Sequence, residues 1–380
     1  MGKGALGQLA AYWPEDTARY AHVPLKRVGE ITLHESARES ADRAALVTAA
    51  GPVSYGELSE QVKQLAARLR GRLQKGSRVA LALADPRELV AALFACFETE
   101  MLVFASAGEI DPGLLAVFSG DLVVGNAPNA IGFAELLAGE ASERADRPDF
   151  KKPLIAFPKP DQSGEVVHNH KTLGATAIAI GSFFMIDAET RVLLLEPPTD
   201  WLGLSLLLGS WQRGASVFVG WGESAANDVE RVDYLVANWA YAISRFVDAP
   251  AEVARVKVGA GAIIGVERAF SLSRRRRLAR RLGTPVLTVL GRSDLGPTIA
   301  SHPTWYLDDS IGIPLPNVDT RPMNPADGTP LNIGWDAVES AEIGFKSSLA
   351  PAGGELMADG WLRSRLVGEI DPTGSYFLGG

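Results

Sequence analysis

Short, continuously apolar runs alternate with longer stretches in which apolar residues recur every three or four positions. Ala45-Leu46-Val47 is one such run, and Arg78-Val79-Ala80-Leu81-Ala82-Leu83 is another. Between them Leu58, Val62, Leu65, Leu69 and Leu73 fall at helical spacing, which predicts an amphipathic helix. Ser54 followed three residues later by Glu57 is a capping-box signature for its start. Pro86 to Glu98 predicts a second helix and Leu102-Val103-Phe104 a third strand. The rhythm continues with strands at Leu122–Val124, Leu154–Phe157, Arg191–Leu195, Ala215–Val219, Tyr241–Ile243, Val256–Gly259 and Val286–Leu290. Helices are predicted over Lys171–Phe184, Leu202–Arg213 and Ser271–Leu282, and Gly139 to Lys152 reads as a charged surface loop. Strands that alternate with helices imply parallel sheets covered on both faces. From Ile311 the pattern changes to short strands separated by Pro and Gly turns, which predicts a small antiparallel unit. The expected division is therefore 1–310, α/β, and 311–380, β-rich.

Composition narrows the function classes. The chain has 380 residues, 47% hydrophobic and 22% charged, with a net charge of −8. The acidic balance argues against a general nucleic-acid binder. No apolar run reaches the ~18 residues of a membrane span. Neither a signal peptide nor a myristoylation pattern is read at Met1 to Gln8, so a cytoplasmic location is expected. The single cysteine, Cys96, lies in an apolar run and reads as a buried structural thiol. His168 and His170 have no third ligand at a known spacing, so a metal reading is set aside in favour of a turn into the next helix. Ser205 and Ser210 lack the G-x-S-x-G context of a hydrolase.

A series of short motifs, in order, resembles the AMP-forming ligase superfamily of acyl-CoA synthetases, adenylation domains and luciferases. Val53-Ser54-Tyr55-Gly56-Glu57-Leu58 resembles its LTYAEL, and Gly76-Ser77-Arg78-Val79-Ala80-Leu81 its GDRVAL. Val166-Val167-His168-Asn169-His170-Lys171-Thr172-Leu173 resembles VVHTHRSL, and Arg213-Gly214-Ala215-Ser216-Val217 resembles AGATV. Gly259-Ala260-Gly261-Ala262 resembles the SGGAP turn, Gly291-Arg292-Ser293-Asp294-Leu295-Gly296 resembles YGxTExG, and Ile311 to Val318 resembles VGxPLPGV. Asp359-Gly360-Trp361-Leu362-Arg363-Ser364-Arg365-Leu366 resembles DGWLRTGD. The resemblance implies the large N-terminal domain of that family: two pseudo-related mixed or parallel sheets flanked by helices, plus a small distorted β-barrel. That family uses ATP and magnesium with an organic acid; for this chain no cofactor is expected, with ATP and magnesium kept only for the divergent-ligase alternative.

Several positions depart from the family pattern. The Asp that closes DGWLRTGD holds the ribose hydroxyls of ATP, and its place falls on Leu366, which accepts no hydrogen bond. The family's phosphate loop, near TSGTTGxPKG, corresponds to Phe157-Pro158-Lys159-Pro160-Asp161-Gln162-Ser163-Gly164-Glu165. Two prolines and two acids there oppose phosphate binding, which leaves Lys159, Ser163 and Gly164 as the residual phosphate candidates. Ser293 and Asp294 stand where the family's Thr contacts phosphate and its Glu helps hold magnesium, while Leu290 replaces the Tyr near adenine. The chain stops at Tyr376-Phe377-Leu378-Gly379-Gly380, where the family enters its hinge, so the mobile cap with its catalytic lysine is expected to be absent.

The acid pocket implied by the resemblance would use Trp201, Gly259, Gly261, Leu290 and Gly291. Arg274 to Arg277 with Arg280 and Arg281 read either as a solvated helix face or as a patch for an acidic partner such as a carrier protein. The expected function is that of a degenerate acid:CoA or carrier ligase homologue that binds an acid, an acyl group or a partner without autonomous adenylation. The alternatives are a divergent ligase completed by a separate cap subunit, and a non-catalytic scaffold in a biosynthetic complex.

Overall fold

The computed structural model describes residues 13–142, 147–161, 163–221, 229–248, 256–307, 309–331, 338–371 and 374–378. Met1 to Gln8, Gln162, the centre of the Gly139–Lys152 loop and Gly379-Gly380 lie outside the described residues. The chain folds as β1 (Ala44–Thr48), β2 (Gly51–Ser54), α1 (Tyr55–Arg72), β3 (Arg78–Ala82), α2 (Pro86–Thr99), β4 (Leu102–Ser106) and β5 (Leu122–Gly125). Then follow β6 (Pro153–Pro158), β7 (Glu165–Asn169), α3 (His170–Phe183), β8 (Arg191–Leu194), α4 (Trp201–Gln212), β9 (Ser216–Val219), β10 (Arg231–Asn238) and β11 (Lys257–Val266). The last part comprises α5 (Leu272–Leu282), β12 (Val286–Arg292), β13 (Gly296–Ala300), β14 (Ile313–Pro314), β15 (Val318–Met323), β16 (Val338–Ser347), β17 (Leu362–Ile370) and β18 (Tyr376–Leu378). Shorter helical turns include Glu35–Glu39, Pro112–Phe118, Phe133–Leu137 and Trp239–Ile243.

Three sheets result. The largest has the order β14-β13-β12-β11-β10-β8-β9-β1-β2, with β12, β11, β10, β8, β9 and β1 parallel. The second runs β5-β3-β4-β6-β7, and its edge strand β7 is antiparallel to β6. The third, β15-β16-β17-β18, is antiparallel and curls into a half barrel. β14 still pairs with β13, so the antiparallel sheet starts at Val318. Among the described residues no further α/β unit follows it.

The capping box at Ser54 forms as expected: its side chain accepts from the Glu57 N–H at 3.2 Å, and Glu57 accepts from the Ser54 N–H at 2.9 Å. α4 is apolar on every side, and Trp201 to Trp211 are all buried, as befits a helix held between two layers. It packs against α3 through small residues. A Cβ built at Gly209 would stand 2.5 Å from Ile180 Cγ2, so only glycine permits this approach.

Two sequence expectations change. Tyr241–Ile243 is a helical turn capped by the Asn238 side chain, and the strand lies before it as β10. Gly259-Ala260-Gly261-Ala262 is not a turn but the first half of β11, paired with β10 and β12.

In the large sheet the strand order reverses between β8 and β10. β8 steps to β9 in one direction, while β10 steps to β11 and β12 in the other. Right-handed crossovers then place α4 and α5 on opposite faces. Such a reversal opens a crevice at the carboxyl ends of the strands, where ligands of α/β sheets bind.

Candidate functional site

Three segments that are far apart in sequence meet at one edge of the molecule. The first is the hairpin loop between β6 and β7. The second is the turn Ser293–Leu295 between β12 and β13. The third is the start of β17. Ser293 Oγ donates to the Pro158 carbonyl at 2.9 Å, and Arg292 Nη1 donates to the Ser364 carbonyl at 2.9 Å. These bonds link the segments that carry Lys159, Ser163 and Gly164, Ser293 and Asp294, and Leu366.

Several of their polar groups pair locally, although Asp161 and Ser163 stay exposed. In the β6–β7 loop the Asp161 carboxylate accepts both the Ser163 N–H, at 3.0 Å, and its hydroxyl, at 2.7 Å. These bonds hold the Asp161 carboxyl below the usual range. The Lys159 N–H donates to the Gly164 carbonyl at 2.9 Å, closing the loop. Glu165 is gripped by Arg78 at 2.8 and 3.2 Å. The Ser163 hydroxyl and the Lys159 N–H are both engaged within the loop.

Asp294, the magnesium candidate, is likewise engaged. Both of its oxygens accept from Arg292, Nε and Nη2 each at 2.8 Å. A fork-to-fork guanidinium–carboxylate pair is the strongest neutralisation a side chain offers. A divalent cation would have to displace a guanidinium that is also anchored on β17. Among the described residues no group of three or more His, Cys, Asp or Glu is arranged to hold a metal. The residues present do not fit magnesium at this position.

Leu366 is half-buried and packs against the main core. Only its backbone is polar, and its N–H donates to Ser364 Oγ at 3.0 Å. The preceding Arg365 has φ 59°, a left-handed conformation that favours glycine. The Gly position of the DGWLRTGD pattern thus keeps its backbone shape although the residue is arginine. Arg363 is paired with the buried carboxylate of Glu342, with its Nε at 3.1 and 3.2 Å from the two oxygens. The sequence reading missed Arg292 and Glu342. The signal for Arg292 was a cation two positions before Asp294 in an otherwise uncharged motif slot.

The acid-pocket candidates separate. Gly291 and Trp201 touch: a Cβ at Gly291 would lie 2.5 Å from Trp201 Cζ3. Leu290 is fully buried beside them. The space between α3, Trp201 and Pro297 holds only about 10 Å³, less than one water molecule needs. Gly259 and Gly261 do not join the cluster. Gly259 lies seven residues before Val266 on β11, about 23 Å away at strand rise.

An open cavity of about 580 Å³ lies instead on the other side of Trp201, at the carboxyl ends of β10 and β11 and next to the strand-order reversal. Asp200, Trp201 and Glu267 line one side, with Arg268 and Arg274 elsewhere on its wall. Trp239 and Phe270 form an aromatic pair with ring centroids 5.0 Å apart. Trp201 Nε1 donates to Glu267 Oε1 at 3.2 Å. Burial raises the Asp200 carboxyl to about 6, helped by the nearby negative Glu196 and Glu267 and opposed by the Leu202 N–H. Burial also raises Glu196, against the two hydrogen bonds it accepts from Asn238. Sequence reading placed the turn eight residues too early and so missed Glu267, Arg268 and Phe270.

The two histidines are structural. His168 contacts Thr172 Oγ1 at 3.3 Å through Nδ1 and meets the Phe157 ring edge-on. His170 Nδ1 accepts the Val28 N–H at 3.0 Å, which leaves the ring proton on Nε2.

Both sequence and fold connect this geometry to known proteins. A family model described as AMP-binding enzyme matches residues 33–106. The chain has the large-domain fold of the AMP-forming ligase superfamily. Among solved structures, ATP-bound MatB from Rhodopseudomonas palustris superposes with a TM-score of 0.74 at 17% identity, covering 92% of this chain and 78% of MatB. The o-succinylbenzoate CoA synthetase MenE from Bacillus subtilis, in complex with its acyl-adenylate OSB-AMP, gives a TM-score of 0.75 at 19% identity, with 91% and 77% covered. The N-terminal domain of FACL13 from Mycobacterium tuberculosis gives 0.77 at 19% identity, with 94% of this chain and all of that domain covered. No curated protein matches the chain by sequence. On this shared fold, Asp294 is paired with Arg292, and Ser163 is bonded to Asp161.

Proposed function

We propose that this chain is a ligase-fold protein that binds an organic acid or acyl group and does not adenylate it unaided. One observation carries the reading: Arg292 occupies Asp294 with both arms and ties it to β17, next to Leu366. Adenylation requires donors and cations aimed at the transferring phosphorus. Here Asp294, Ser163 and Ser293 are engaged with other groups of the chain. MatB and MenE bind ATP or an acyl-adenylate on the same fold, so the scaffold itself is compatible with a nucleotide. The substitutions are what argue against one.

The ligand site in this reading is the cavity beside Trp201. Arg268 and Arg274 suit a carboxylate, and the Trp239–Phe270 pair suits an apolar or aromatic body. Asp200 and Glu267 favour a second group on the ligand that donates hydrogen bonds. In a panel of aromatic and medium-chain acids, with and without such a donor, some members are expected to raise the melting temperature. Trp239→Ala is expected to remove that shift while leaving the fold intact, because Trp239 is only partly buried. If no acid or acyl analogue shifts the transition, the acid-binding half of the proposal is lost.

A further inference from the structure

We propose that the outer face of α5 docks an acidic protein surface that presents an exposed apolar side chain. Arg274, Arg276, Arg277, Arg280 and Arg281 are all exposed on this 11-residue helix. Among the described residues none of the five forms an ion pair with a carboxylate. The helix itself contains no acid. Arg276 with Arg280, and Arg277 with Arg281, are like-charged neighbours one turn apart, which weakens a helix by about 0.2–0.5 kcal/mol per pair. Arg274 sits in the first turn, where the helix dipole also disfavours a cation. The fold holds this arrangement through a different residue. Arg275 is buried and donates to the Ser310 carbonyl at 2.7 Å and the Val286 carbonyl at 2.9 Å. A helix stitched down by one arginine while five others remain uncompensated is a surface that an external anion would stabilise.

The shape beside it selects the kind of anion. An open concavity of about 700 Å³ runs along Arg276 and Arg280, with Ala279, Pro285, Val286 and Tyr306 as its apolar floor. A phosphate or a nucleic-acid backbone has nothing to place on such a floor, whereas a protein surface can bring carboxylates to the rim and an apolar side chain to the centre. Charge elsewhere points the same way. Removing these five positive charges from the chain's −8 leaves −13 on the rest, which repels a polyanion long enough to extend past a helix of ~16 Å.

The test uses fluorescence anisotropy with a short peptide of Glu and Ala bearing one central Phe. Comparison ligands are the same peptide with Phe replaced by Gln, inorganic polyphosphate and a short DNA duplex. Binding of the Phe peptide is expected to exceed that of the Gln peptide, polyphosphate and DNA, and to weaken with added salt. Arg276→Glu with Arg280→Glu, which line the concavity, should weaken it by about tenfold or more. Arg277→Glu with Arg281→Glu, on the neighbouring row, should weaken it less. Unchanged melting temperatures separate these effects from misfolding. No binding, equal loss in both double variants, no dependence on Phe, or tighter binding of polyphosphate or DNA would each overturn the proposal.

Discussion

Glu100→Ala is expected to destabilise the protein by about 3–5 kcal/mol, the range for removing one member of a buried ion pair. Glu100 closes α2 in a left-handed conformation, φ 53°, and its side chain is 2% exposed. Four groups from different parts of the chain surround its carboxylate. Lys75 Nζ lies 2.5 Å from one carboxylate oxygen, and the Asp149 N–H donates to the other at 2.9 Å. Arg27 Nε and His170 Nε2 each stand 3.9 Å away. Loss of the carboxylate leaves the Asp149 N–H without its acceptor and Lys75 without its ion-pair partner. Glu100→Gln keeps an acceptor for Asp149 but removes the charge, so it should fall between alanine and wild type. Urea denaturation measures both. A cost for Glu100→Ala below about 1 kcal/mol, the level of an exposed pair, would show that this convergence is incidental.

Stability is expected to fall by about 3 kcal/mol between pH 7 and pH 5. Burial pushes both His168 and His170 down to about 4, well below an unfolded histidine. The unfolded chain therefore takes up protons below its ordinary histidine pKa while the native rings stay neutral. The stability these two groups contribute is complete above that value and is lost as the pH falls toward 4. Each removes roughly 2 kcal/mol over this interval. His302 is shifted in the same direction by burial. Asp200 acts oppositely. Its carboxyl is raised to about 6, so its burial cost disappears as the pH falls through that value, returning about 1 kcal/mol by pH 5. The histidines outweigh it. Denaturation curves at the two pH values test the sum, and His168→Gln should flatten the dependence. A protein equally stable at pH 5 and pH 7 would contradict the burial of these rings.

Much of the fold was legible because its signals are local. Ser54 and Glu57 lie within one turn, and Leu58 to Leu69 mark the buried stripe of α1. β10 was missed because its neighbour misled. Trp239–Ile243 is a short apolar run whose helical character rests on Asn238 capping it, and a run that short does not distinguish helix from strand. Gly259 and Gly261 suggested a turn because glycine so often means one. Gly261 instead lets Leu287 approach, with its Cδ1 2.8 Å from where a Cβ would be.

The candidate site divides in the same way. Leu366 could be read directly, since a missing carboxylate is visible in a motif. The Arg292 clasp could not. Its partner Asp294 is two residues off, but the Ser364 carbonyl is 72 residues away, and only the packing of the curled sheet against β12 and β13 brings it within reach. The Glu342–Arg363 pair depends in the same way on the register of β16 and β17.

The proposed loss of nucleotide binding is the centre of this account, and calorimetric titration of the 380-residue chain with ATP and magnesium tests it most directly. With Asp294 paired to Arg292, Ser163 bonded to Asp161 and Leu366 at the motif position where the family pattern has Asp, no saturable heat is expected at nucleotide concentrations up to about 1 mM. A saturable isotherm with a dissociation constant in the range of about 1–10 μM would mean that the arginine clasp opens for nucleotide, and would contradict the account.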